Sequence, residues 1–229
     1  MMRRAKWILL VSFLSLAGCA GKHELNYRMT VEVEIPQGLR SGSSVWQYTY
    51  TDKPDLFIVW RQGAWGEAVA VDLPGNRTLF MVVEQYGLVD YAMQIPRAVF
   101  SDELAALNAG SDVEIDLTDK LDRLKETSLS KDLTIPQMPA FAMFRDLRDL
   151  VSVEYVRPEE FSTKLGSGYK LHRVNMTITK DPVGEGIVAR LPWLTEYYGQ
   201  SLDRASIHDN SRASNTLGAG SFRRIPNDG

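Results

Sequence analysis

The sequence predicts an α+β fold, mainly antiparallel β-sheet with a few short helices inserted in the middle of the chain. Three observations predict it. Apolar and polar residues alternate with period two in several stretches, most clearly at 29–35 and 171–179. Pro, Gly, Asn and Asp punctuate these stretches at short intervals. Helical spacing is concentrated between residues 101 and 124, with only brief helical pieces later.

The first strand is expected where Met29, Val31, Val33 and Ile35 alternate with Thr30, Glu32 and Glu34. Pro36-Gln37-Gly38 and Ser41-Gly42-Ser43 bracket a long turn, and a second strand returns over 45–51. Trp46, Tyr48 and Tyr50 fall on one face of that strand. The apolar run 56–60 reads as a strand buried on both faces. Val69, Val71 and Leu73 alternate, Pro74-Gly75-Asn76 marks a tight turn, and 79–83 forms a further apolar strand. The first hundred residues thus read as an antiparallel β unit.

In the middle, Ser101 is placed to cap a helix with Asp102 and Glu103 in its first turn and Gly110 past its end. Leu117, Leu121 and Leu124 share one face of a second helix. Residues 128–139 read as a loop. Alternation resumes at 140–145 and 151–156, and Pro158-Glu159-Glu160 opens a short helix. Residues 171–179 form the clearest late strand, with His172, Val174, Met176 and Ile178 on one face. Residues 191–198 read as a helical turn.

The chain start carries an address. Arg3, Arg4 and Lys6 precede an apolar run of 11 residues, 7–17. A membrane-spanning helix needs roughly 20, so the run is expected to be a signal peptide. Leu16-Ala17-Gly18-Cys19 closes it and looks like a lipobox, in which Cys19 is acylated and becomes the first mature residue. The lipobox resemblance implies a diacylglyceryl thioether on Cys19 and an acyl chain on its amine, which is a stable tether. Plain secretion is the competing reading. The expected division is a signal peptide at 1–18, a lipidated tether at 19–27, one α+β domain at 28–200 and a polar, flexible tail at 201–229. Ala20, where an Asp favours inner-membrane retention, points to the outer membrane, facing the periplasm.

Cys19 is the only cysteine, so the acylated chain has neither a free thiol nor a disulfide. Removing residues 1–18 leaves 211 residues with 23 basic against 29 acidic side chains, a net charge of −6. That gives no footprint for nucleic acid and argues against the body lying on anionic lipid.

No catalytic signature emerges. Of the histidines, His23 falls in the tether, His208 in the tail and His172 on a strand. The sequence offers no spaced metal ligands and no cofactor motif, and no serine stands in a Gly-x-Ser-x-Gly elbow. Asp112, Glu114 and Asp116 share a face of an extended stretch but lack the spacing of a calcium loop. Residues 38–44 are rich in Gly and Ser, but lack a phosphate-loop ending and read as part of a hairpin turn.

Trp46, Tyr48 and Tyr50, with Trp60 and Trp65 on the following segments, suggest a ligand or partner surface that stacks on sugar rings. Core packing is the simpler reading of the same residues. Met138, Phe141, Met143, Phe144 and the Leu191-Pro192-Trp193-Leu194 segment form a second apolar group, either core or an adaptable partner surface. The preferred expectation is a non-enzymatic envelope lipoprotein that binds or scaffolds another envelope component. A tethered glycan-binding module or hydrolase is the second reading. A small-molecule binder with an apolar pocket around Leu104, Leu107, Leu117 and Leu121 is the third.

Several blocks together carry a resemblance: GLRSGSSV at 38–45, GEAVAVDL at 66–73, Asp181-Pro182-Val183 with Gly186-Ile187, and Leu191-Pro192-Trp193-Leu194. They resemble an uncharacterised family of small envelope proteins and lipoproteins of Gram-negative bacteria. The resemblance implies one integrated domain and no assigned activity, and it adds no site residues. Where the family has a Pro before a Ser-Val pair, this chain has Leu150-Val151.

Overall fold

The computed structural model describes residues 21–51, 62–88, 90–108, 115–205 and 212–225. Strands β1 (Lys22–Ile35) and β2 (Gly38–Thr51) form a long antiparallel hairpin, paired from Lys22 against Thr51 to Ile35 against Gly38. Only Pro36 and Gln37 connect them, and Gly38 takes a left-handed φ of 120° to close the turn. Residues 38–44 are therefore strand, not the expected long turn. The alternation seen at 29–35 extends back to the start of the strand. Leu25 and Tyr27 are wholly buried, so residues 22–27, expected in the tether, belong to the sheet.

Strand β3 (Gly63–Glu67) pairs with β2. A single residue, Ala68, then passes the chain to a second sheet through β4 (Val69–Leu73). β4 and β5 (Arg77–Met81) form a hairpin around Pro74, Gly75 and Asn76. Gly75 and Asn76 carry φ values of 78° and 61°, the left-handed geometry this turn needs. The predicted strand at 56–60 lies outside the described residues.

Helices α1 (Tyr91–Val99), α2 (Ser101–Ala106) and α3 (Leu117–Lys125) follow. Ser101 is the first residue of α2, and the N-cap position falls to Phe100, which makes no side-chain cap. α3 matches expectation, with Leu121 and Leu124 buried and the Asp116 carboxylate accepting from Thr118 N at 2.7 Å. Asp116 is thus a helix cap; Asp112 and Glu114 lie outside the described residues. β6 (Ser130–Asp132) adds a short edge strand inside the expected loop.

β7 (Phe141–Phe144), β8 (Val153–Tyr155) and β9 (Lys170–Ile178) complete the main strands. Between them Pro158–Glu160 makes a 3-10 turn leading into α4 (Phe161–Lys164). Towards the end come α5 (Ile187–Arg190), α6 (Ala213–Thr216), α7 (Ala219–Phe222) and β10 (Arg223–Arg224). Helices are therefore not confined to the middle of the chain. Among the described residues the larger sheet runs β10-β3-β2-β1-β9-β6 and the smaller β4-β5-β7-β8, all antiparallel.

Two cores explain this layering. The first joins Tyr27, Val31 and Trp46 of the larger sheet to Val71, Leu79 and Phe141 of the smaller one, with α1–α3 closing its side. The second lies on the opposite face of the smaller sheet. There Phe80, Ala142 and Phe144 meet Ile187, Leu194, Leu202, Leu217 and Phe222. All four residues of β7 are buried because its sheet is covered on both faces.

The expected polar tail is corrected here. Leu202, Leu217, Ala219 and Phe222 are buried, and β10 pairs with β3. Four apolar side chains placed over one sheet outweigh a Ser-, Asn- and Gly-rich average, so the described residues 201–205 and 212–224 belong to the domain. No helix among the described residues is long and apolar enough to cross a membrane.

Candidate functional site

The aromatic strand is not a surface. Trp46, Tyr48 and Tyr50 are 0%, 0% and 2% exposed, which overturns their assignment as a ligand platform. They do share one face, but that face looks inward, against α1 and α3. Trp46 donates its indole N–H to the Glu67 carbonyl at 2.8 Å and meets Tyr27 and Tyr91 edge-on. Gly66 leaves room for that indole, since a Cβ there would stand 2.7 Å from it. The Tyr27 hydroxyl donates to the Ala92 carbonyl at 2.6 Å, and burial pushes its pKa well up. Trp60 lies outside the described residues, and Trp65 sits half-buried in β3.

His23 belongs to β1 and not to a tether. Its Nδ1 stands 2.8 Å from Asp122 Oδ2, its ring stacks on Tyr50, and the Tyr50 hydroxyl donates to Asp122 Oδ1 at 2.9 Å. One carboxylate thus fastens α3 to the start of β1 and the end of β2. Asp122→Ala is expected to cost about 1–3 kcal/mol, the range for two lost hydrogen bonds. The check is faster amide exchange at residues 23–27 with β9 unchanged.

His172 does not face the core. A bulge between Glu32 and Val33 shifts the β1–β9 register, turning His172 outward beside Glu34 at 2.9 Å. Period-two counting fails across such an insertion. Arg173 next to it forks onto Glu32 at 2.9 and 2.7 Å and holds that carboxyl below its usual range. Cys19 and His208 lie outside the described residues.

Two buried acids went unnoticed in the sequence. Glu67 closes β3, and its Oε2 accepts from the backbone N–H groups of Gly186 and Ile187 at 2.6 and 2.8 Å. Its Oε1 lies 3.4 Å from Arg223 Nε. The carboxylate therefore holds the C-terminal layer against the sheets from two sides. Its sequence signal was an acid placed directly before an apolar alternation.

Glu84 follows Val82 and Val83, an acid ending an apolar run. Its Oε2 accepts from the Ser221 hydroxyl at 2.9 Å, while Ser221 Oγ accepts from Gly218 N at 3.1 Å. Oε1 of Glu84 is buried without a hydrogen-bond partner. Burial raises the Glu84 pKa, with the Ser221 hydrogen bond and Arg224 opposing. Above this pair, Tyr86 and Tyr155 lie 5.3 Å apart, and the Tyr155 hydroxyl lies 3.1 Å from that of Thr216. Burial pushes Tyr155 up to about 12. Tyr86 sits at φ 41°, left-handed geometry that a bulky residue rarely takes, followed by Gly87 at φ 90°. The turn is held because Gln85 donates its amide to the Pro136 and Met138 carbonyls, both at 2.8 Å.

This cluster is the most unusual chemistry in the fold. Glu84 and Ser221 are only 6% and 4% exposed, which puts the pair out of a substrate's reach. As it stands, the pair joins the C-terminal strap to the small sheet. A carboxyl with a raised folded pKa stabilises most below its ordinary value of 4.5, and that contribution is lost as pH rises through the folded value. Glu84→Gln is therefore expected to gain stability relative to the native chain as pH rises from the ordinary carboxyl value of 4.5. Urea midpoints of the two chains below and above that value check the sign.

Among the described residues no group of three or more His, Cys, Asp or Glu side chains is placed to hold a metal ion. No family model, no curated protein and no solved structure matches this chain.

Proposed function

We propose that this chain is a lipid-anchored protein of the cell envelope. Acylated Cys19 holds it on the outer membrane, facing the periplasm, and its domain binds or scaffolds another envelope component. The observation that carries the reading is Leu16-Ala17-Gly18-Cys19 at the end of an apolar run of 11 residues behind three basic side chains. Acyl chains on one cysteine make a stable tether at roughly 0.8 kcal/mol per buried methylene. Tethering concentrates a binding domain near its partner without adding any contact.

Cys19→Ser is the test. Fatty-acid labelling and membrane retention are expected to disappear together. Unchanged fractionation of the variant would sink the anchor. The partner is sought by crosslinking the tagged full-length chain in cells. A discrete heavier species that vanishes with Cys19→Ser is expected.

A further inference from the structure

We infer that the domain stands end-on against the bilayer, with the open end of the β1–β2 hairpin, where Lys22 pairs with Thr51, facing the lipid headgroups. This rests on the proposed acylation of Cys19. Only two residues, Ala20 and Gly21, separate Cys19 from Lys22, so the three Cα steps of the link span at most about 11 Å. No slack follows it. Lys22 is already in register with Thr51, His23 is fixed 2.8 Å from Asp122 of α3, and Leu25 and Tyr27 are fully buried. The anchor therefore pulls directly on a rigid sheet.

β1 is 14 residues long, about 43 Å at roughly 3.3 Å per residue. The turn at Pro36 and Gln37 is the far end of that strand. Lying flat would press the outward face of β1 and β9 onto headgroups. That face carries side chains that already have partners: Arg28 with Asp181 just past β9, Glu32 with Arg173, and Glu34 with the His172 ring. Among the described residues of β1 and β9 no large apolar side chain is exposed there. Apart from the exposed Lys170, the face thus offers lipid paired charges and no exposed large apolar side chain, whereas end-on contact disturbs none of these pairs.

The inference is tested on the full-length acylated protein in phosphatidylcholine vesicles containing nitroxide-headgroup lipid. Cys19 is the only native cysteine and is consumed by acylation, so Thr51→Cys, Ser43→Cys and Gln37→Cys each give one thiol for a bimane label. Ser43 pairs with Thr30 near the middle of β1. Quenching is expected to fall from Thr51 through Ser43 to none at Gln37. Equal quenching at all three positions, or more at Gln37, overturns the end-on mounting while leaving the anchor intact. Failure of the chain with intact Cys19 to float with vesicles overturns the anchor and the mounting together. Vesicle flotation is read before quenching, so the two failures are distinguishable.

Discussion

Phe222→Ala is expected to lower the unfolding free energy by about 3–5 kcal/mol, as for large aromatic truncations in cores. Phe222 is wholly buried. Its ring lies 5.7 Å from Phe80, 5.6 Å from Phe144 and 5.6 Å from Trp193, so one truncation opens contacts to β5, to β7 and to the segment after α5. The backbone is involved as well. The Phe222 carbonyl accepts from Ala68 N and the Ser221 carbonyl from Val83 N, both at 2.8 Å. Losing the ring loosens a strap that also supplies Ser221 to Glu84 and Arg223 to Glu67. A urea titration reads the loss. A change below about 1 kcal/mol would mean the strap does not share in the cooperative core.

Gly42→Ala is the second large effect, and it comes from adding one carbon. A Cβ at this position would stand 2.1 Å from the Ala70 carbonyl oxygen, because β2 and β4 approach backbone to backbone as the chain crosses between sheets. Backbone cannot swing aside as a side-chain tip does. The expected cost is at or above the top of the roughly 1–3 kcal/mol range for overpacking. Gly220→Ala is the contrast. Nothing lies within 4 Å of a Cβ there, and the residue is inside α7. That change is expected to be neutral or stabilising by about 0.4–1 kcal/mol. Comparable thermal unfolding of the two variants would contradict the close approach of the sheets.

The alternation in β1, the turn at Pro74-Gly75-Asn76 and the leucine face of α3 were legible because each is a local pattern with one solution. Period two also placed Trp46, Tyr48 and Tyr50 on one face. It does not say which face is inward, and that depends on α1 and the second sheet. α1 escaped because Pro96 lies inside it and no side chain caps its start. Lys22, Glu24 and Asn26 made the beginning of β1 look like a linker, although His23, Leu25 and Tyr27 alternate with them. The tail misled in the same way. Its composition is polar, while the few apolar residues that matter are spaced to meet a sheet assembled far earlier in the sequence. Glu67 and Glu84 take their Oε2 hydrogen bonds from residues 119 and 137 positions away, and no local window holds such a pairing.

These features place the described polar clusters in the service of holding two sheets and a C-terminal layer together, and leave the proposed anchor as the feature that speaks to biological role. The central claim is therefore best tested by the intact mass of the mature protein, extracted from cell membranes with detergent. The expected mass is that of a chain beginning at Cys19, carrying a diacylglyceryl group on Sγ and an acyl group on its amine. A chain that retains residues 1–18, or one that begins elsewhere with Cys19 unmodified or removed, would contradict it.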